Sequence, residues 1–263
     1  MSKLLLIKLG GSLITDKGKE FTAKPEVIVR LAQEILQSVP KFSGKIIIAH
    51  GSGSFGHTAA AKYNIRAGLV SPDSYEGLPI VADAAIQINR IVMQHFLASR
   101  LPAVSFSPAS FILAHNGRPK KMHLAPIFFA LEKNFLPVMY GDIVFDTHRG
   151  ISIYSAETTL NILANKARHL FDDISVIYCG DTDGVYDQTG KTIPVVTKKS
   201  FVRQSKFITG SKNTDVTGGM LHKVKESLEL AKKGIPTLII NGNRPGELKK
   251  AILSLKTKGT LVD

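Results

Sequence analysis

Six short apolar runs, at residues 4–9, 45–49, 103–106, 136–140, 175–179 and 237–241, constrain the fold more than any other feature of the chain. Each is nearly continuous and is closed by Gly, Asn or Ser, after one further residue, His50, in the case of 45–49. A strand with one wet face alternates apolar and polar residues, so an unbroken run indicates a strand buried on both faces. Helical periodicity fills the intervals. Residues 25–39 place Val27, Ile28, Leu31, Ile35 and Leu36 on one face, and Pro25 suits a first helical turn. Longer or later helices are predicted over 74–100, 217–233 and 245–255. This alternation predicts a three-layer α/β/α sandwich around a mainly parallel central sheet. Residues 148–150 and 189–191 read as hairpin tips in a more irregular setting. A single domain is expected, divided softly into lobes at 1–130 and 131–263 that share the sheet.

Composition narrows the function classes. With 263 residues and 44% hydrophobic side chains the chain can bury a sizeable core. No apolar run approaches the roughly 18 residues of a bilayer span. Residues 1–10 lack the longer apolar stretch and cleavage site of a secretory signal. Cys179 is the single cysteine, which excludes an intrachain disulfide and fits a reducing, cytoplasmic setting. Lys and Arg number 34 against 21 Asp and Glu, a formal +13, and such a field favours anionic partners. The basic pairs at 120–121, 198–199, 232–233 and 249–250 are scattered and carry no aromatic interleaving, so neither nucleic acid nor a membrane is an expected partner.

Four glycine loops follow or adjoin the strands. Lys8-Leu9-Gly10-Gly11-Ser12 leads to Thr15-Asp16-Lys17. Adjacent glycines let backbone N–H groups face an anion, and Lys8, inside an apolar run, needs an anion or a carboxylate beside it. His50-Gly51-Ser52-Gly53-Ser54-Phe55-Gly56-His57 satisfies G-x-G-x-x-G after a strand. It lacks the second strand ending in an acid that a dinucleotide site needs, and His57 replaces the lysine of a P-loop. It suits a phosphate cradle at a helix start, with His57 one or two residues into that helix as a donor. Gly180-Asp181-Thr182-Asp183-Gly184 is either a turn or part of a site. Asp215-Val216-Thr217-Gly218-Gly219-Met220 opens a helix that carries Lys223. No tight metal-ligand spacing and no G-x-S-x-G elbow occurs, so no protein-held metal is expected. Lysines in three glycine loops without a nucleophile suggest phosphoryl transfer by positioning and charge neutralisation.

On these loops, together with Tyr140-Gly141-Asp142 and Asp181-Thr182-Asp183-Gly184-Val185-Tyr186, the chain resembles the amino acid kinase superfamily over essentially its whole length. Ser54-Phe55-Gly56-His57 and Thr15-Asp16-Lys17 resemble its isopentenyl phosphate branch. The resemblance implies ATP, with Mg²⁺ carried on it, as phosphoryl donor, and isopentenyl phosphate as acceptor. It also implies a homodimer. By matching positions, Lys8 and Lys223 would contact ATP phosphates, and Lys17 would neutralise the moving group. Gly10, Gly11, Ser12, Gly53, Gly218 and Gly219 would surround the nucleotide phosphates, with Asp181, Tyr186 and Asp187 near ribose and base. Ser52, Gly53, His57, Gly141 and Asp142 would hold the acceptor phosphate. Two positions depart from the family: Ser52 interrupts a run of three glycines, and Glu157 stands where an aspartate usually organises the lysines. For an apolar tail, Leu78 and Val81 at i, i+3 offer a wall, or are ordinary core. A sister kinase of the same fold, with a carboxylate, carbamate or nucleoside monophosphate acceptor, and an NAD-binding oxidoreductase are the alternatives.

Overall fold

The structure is a computed structural model, and it describes residues 2–204 and 219–263. Twelve strands and ten α-helices occur among them. The strands are β1 Lys3–Leu9, β2 Lys45–His50, β3 Ala103–Ser105, β4 Ile112–His115, β5 Arg118–Met122, β6 Leu136–Tyr140, β7 Asp142–Asp146, β8 Gly150–Tyr154, β9 Asp173–Gly180, β10 Val195–Val196, β11 Thr237–Asn241 and β12 Gly259–Val262. The helices are α1 Gly11–Ile14, α2 Pro25–Ser38, α3 Gly53–Lys62, α4 Pro72–Ala98, α5 Pro108–Phe111, α6 Ala125–Glu132, α7 Ala156–Ala167, α8 Lys198–Gln204, α9 Gly219–Ala231 and α10 Glu247–Ile252.

Eight strands form one sheet in the order β10-β12-β11-β9-β1-β2-β6-β3, parallel throughout except for the β11–β12 pair. The unbroken apolar runs have their cause here: both faces of the central strands are covered. Leu5, Ile7 and Leu9 of β1 pack with α2, α3, α4 and α10, whereas Leu4 and Leu6 pack with α6, α7 and α9. Register aligns Leu9 with His50 and Cys179, and His50 with Tyr140. The carboxyl ends of four strands therefore finish side by side, and their loops converge on one edge of the sheet. Among the described residues, no helix is long and apolar enough to cross a membrane.

Several boundaries differ from the sequence expectation for identifiable reasons. Helix α4 starts at Pro72 rather than residue 74, because Ser71 and Ser74 form a capping box ahead of it. Helix α10 is shorter than 245–255: Gly246 at φ +82° precedes it and Ser254 at φ +54° follows it. The predicted start of the helix at 217 lies outside the described residues. The tip at 148–150 does join two antiparallel strands, β7 and β8, and Tyr186 bridges Thr192 across the 189–191 turn. Unexpected is a second sheet, β5-β4-β7-β8. Its β5, Arg118-Pro119-Lys120-Lys121-Met122, is exposed and lacks the alternation that marks a strand.

Candidate active site

The parity of β1 that sends Leu4 and Leu6 to one face sends Lys8 to the same face, where its side chain is only 8% exposed. An ammonium there is costly unless paired. Helix α7 supplies the partner. Ser155 caps it, its hydroxyl accepting from the Thr158 amide at 3.0 Å, and Glu157 follows in the first turn with Oε1 2.6 Å from Lys8 Nζ. Burial alone would raise the Glu157 carboxyl. The charges of Lys8 and Lys223 and the hydrogen bond from Lys8 outweigh it and hold Glu157 below its ordinary value. Glu157 therefore links two lysines that lie 215 positions apart in the chain.

The first two glycine loops touch backbone to backbone. A Cβ on Gly11 would stand 2.6 Å from the Gly53 nitrogen, and one on Gly51 would stand 2.8 Å from the Gly11 nitrogen. Thr15 locks the junction: its hydroxyl donates to the Gly11 carbonyl at 2.8 Å and accepts from the Ser54 amide at 3.0 Å. The amides of Gly11, Ser12, Ser52 and Gly53 find no acceptor among the described residues, and all four residues line one cleft. Four open N–H groups on two abutting turns form a nest for anionic oxygens.

That cleft gathers most of the candidate residues. Lys8, Lys17, Ser52, Gly53, His57, Gly141, Asp142, Glu157 and Lys223 line it together with Gly11 and Ser12. Lys17 Nζ sits 3.5 Å from Asp181 Oδ2. Burial would raise the Asp181 carboxyl, but Lys17, a hydrogen bond with Ser12 and Lys223 together keep it below its ordinary value. Lys8 and Lys223 also line a smaller adjoining recess with Gly180, Asp181, Thr182 and Met220. His57 is the fifth residue of α3 rather than one or two residues into it, because the helix opens at Gly53. The same lining has an apolar part, made by Ala60, Val81, Ala85, Ile143 and Ile153. Leu78 is not among the lining residues and packs half-buried against the core.

Other candidates sit elsewhere. The Gly10 amide donates to the Cys179 carbonyl at 2.8 Å, so Gly10 braces the loop rather than opening onto the cleft. Asp187 Oδ1 accepts from Thr189 and Lys191 and builds its own turn, and the Tyr186 hydroxyl accepts from the Asp183 amide. Gly219 is buried as the first residue of α9, while Gly218 lies outside the described residues. Asp183, which sequence reasoning did not single out, anchors this loop. Its carboxylate receives Arg244 through two bonds of 2.6 Å, Lys258 at 2.6 Å and Asn241 at 2.9 Å. These partners are at least 58 positions away, so no local signal announces them.

Asp142 has a measurable consequence. Burial pushes its carboxyl up to about 6, against hydrogen bonds from the Ile143 amide and the Ser107 hydroxyl. A carboxyl raised on folding binds its proton more tightly in the folded chain, so ionisation destabilises the fold. The penalty is absent below the unfolded value of 3.8 and complete above about 6. Asp142→Asn is therefore expected to be more stable than the parent at pH 8, by on the order of 2–3 kcal/mol. The gap should close toward pH 4. Urea unfolding at both pH values checks this, and a gap independent of pH would contradict it.

Comparison with known proteins gives concordant matches. The model described as "Amino acid kinase family" matches residues 3–241. The isopentenyl phosphate kinase of Methanothermobacter thermautotrophicus is 34% identical, with 98% of each chain covered. That of Methanocaldococcus jannaschii is 31% identical over 99% of this chain and 98% of its own. A solved structure titled "X-ray structures of isopentenyl phosphate kinase" superposes with a TM-score of 0.81 at 30% identity, covering 98% of this chain and 99% of that one.

Proposed function

We propose, from the premise that this chain belongs to the amino acid kinase family, that its cleft transfers the γ-phosphoryl group of ATP to isopentenyl phosphate, forming isopentenyl diphosphate and ADP. The observation that carries this reading is a single cleft with two chemistries. Lysines and open amides share its lining with an apolar part, Val81, Ala85, Ile143 and Ile153. An acceptor with an anionic head and a short apolar tail uses both kinds of lining, whereas a carboxylate or carbamate acceptor leaves the apolar part unused.

A phosphate oxygen of the acceptor attacks the γ-phosphorus, and the bond to the β–γ bridging oxygen breaks, leaving its electron pair on ADP. A phosphate monoester is largely ionised near neutral pH, so no strong base is needed. Charge repulsion between the two anions is the obstacle. Lys8 and Lys223 lie against the donor phosphates, Lys17 against the moving group, and the Gly11 and Ser12 amides beside them. The Ser52 and Gly53 amides and His57 hold the acceptor phosphate. Glu157 keeps Lys8 in place. Among the described residues no three His, Cys, Asp or Glu cluster together. The cleft carboxylates are engaged by Lys8, Lys17 and Ser107. This donor set suits Mg²⁺ held by the nucleotide's own phosphate oxygens and water.

A homodimer is the assembly that this reading favours. Ile80, Ile86 and Leu97 of α4 are exposed apolar side chains, and β3 leaves the sheet edge open beside that helix. The single cysteine, buried and reduced, accords with a cytoplasmic setting.

Replacing His57 tests the acceptor side. His57→Ala is expected to raise KM for isopentenyl phosphate by ~10-fold or more while ATP affinity stays within ~2-fold, the loss of one charge-assisted hydrogen bond. An unchanged acceptor KM would remove His57 from the acceptor site.

A further inference from the structure

His50, the last residue of β2, is fully buried directly behind the second glycine loop and takes no part in the chemistry above. Its ring stacks on Tyr140 with centroids 5.8 Å apart. Both ring nitrogens have polar neighbours at 3.2 Å: Nδ1 faces the Gly51 carbonyl oxygen, and Nε2 faces the side-chain amide of Asn89 on α4. That amide in turn lies 2.8 Å from the Ser105 hydroxyl on β3.

Only one protonation pattern satisfies every group with a neutral ring. A carbonyl oxygen can only accept, so Nδ1 must carry the proton and donate to Gly51. Nε2 is then an acceptor, which orients Asn89 with its NH₂ toward His50 and its oxygen toward the Ser105 hydroxyl, related by a 180° rotation to the opposite amide assignment. With the Asn89 oxygen on Nε2, a neutral ring donates from Nε2 and sets its Nδ1 lone pair against the Gly51 oxygen, so only a doubly protonated ring satisfies both contacts. Burial and the nearby Lys8 ammonium both oppose that charge, and they hold the His50 pKa below its ordinary value.

The consequence reaches the cleft through one peptide bond. In a trans peptide the C=O and the following N–H point in opposite directions, and no cis bond occurs among the described residues. Fixing the Gly51 oxygen on the His50 ring therefore turns the Ser52 N–H away from the core. That N–H has no acceptor among the described residues, and Ser52 lines the cleft. We propose that His50 is a positioning residue. As the neutral Nδ1–H tautomer, relayed through Asn89 and Ser105, it fixes the Gly51–Ser52 peptide so that the Ser52 amide donates to the acceptor's phosphate. The choice of acceptor rests on the function proposed above; the orientation of the amide toward a phosphate does not.

The test uses the full chain labelled with ¹⁵N and inorganic phosphate as the probe, so it is independent of turnover. Long-range ¹H–¹⁵N correlation should report His50 as the neutral Nδ1–H tautomer from pH 6 to 8, and the Ser52 amide resonance should shift on titration with phosphate. His50→Phe keeps the ring and removes its N–H. It is expected to weaken phosphate binding by ~10-fold and to raise acceptor KM similarly, with ATP affinity within ~2-fold. An Nε2–H or doubly protonated ring, a Ser52 amide indifferent to phosphate, or His50→Phe binding phosphate as the parent does would each overturn the proposal. If His50→Phe fails to fold, the tautomer and the Ser52 response of the parent chain decide. A parent that binds phosphate through Ser52 but does not turn over isopentenyl phosphate would sink the acceptor assignment and leave this inference standing.

Discussion

Lys17→Ala is expected to lower kcat by ~10³-fold while ATP affinity changes by less than ~5-fold. A cation that meets negative charge only as it redistributes during transfer contributes to the transition state more than to the ground state. Removing it therefore appears in kcat. The position of Lys17 makes the experiment clean. Its side chain is 43% exposed, on the loop after α1, and its ion pair with Asp181 spans 3.5 Å. Such an exposed pair contributes at most about 1 kcal/mol to stability. The variant should fold and unfold like the parent, and the loss can be read as chemistry. Equal losses in ATP affinity and kcat would make Lys17 a nucleotide-binding lysine.

Glu157→Gln should be costly in two ways. Lys8 is left buried without its counter-charge, and breaking a buried pair by removing one partner costs about 3–5 kcal/mol. Lys8 and Lys223 also lose the charge between them, so kcat is expected to fall by ~10²-fold or more. The double variant Lys8→Met/Glu157→Gln separates the two effects. With neither charge buried, much of the stability should return while activity does not. Glu157 also carries a pH signature. Its carboxyl lies below its ordinary value in the folded chain, so its contribution is present above the ordinary carboxylate range and is lost as pH falls through and below it. A Glu157→Gln protein as stable as the parent at pH 7 would contradict the pairing role.

These positions differ in how plainly the amino-acid order announces them. The parallel sheet was legible because strands buried on both faces have no alternative to unbroken apolar runs. Lys8 was legible for the same reason, as a charge in the interior of such a run, whereas Lys45 stands at the edge of its own. The two glycine loops could be read as anion cradles separately. Their backbone contact through Gly11, Gly51 and Gly53 could not, because it depends on β1 and β2 being neighbours. Glu157 was reached through resemblance, since nothing local marks a helix N-terminus as facing a lysine on another strand. The apolar wall was half legible: Val81 lines the cleft, but its i−3 neighbour Leu78 turns toward the core, and Ala85 one turn on takes that place. Asp183 and the His50–Asn89–Ser105 relay were silent because their partners are brought together only by the fold.

ADP release by purified protein with Mg-ATP, comparing isopentenyl phosphate with glutamate, acetylglutamate, aspartate, carbamate and UMP, tests the central reading most directly. Turnover confined to isopentenyl phosphate, with ³¹P resonances of a diphosphate monoester appearing at the rate of ADP, is the expected result. Turnover on another acceptor with none on isopentenyl phosphate would contradict it, and would move the chain to a sister activity of the same fold.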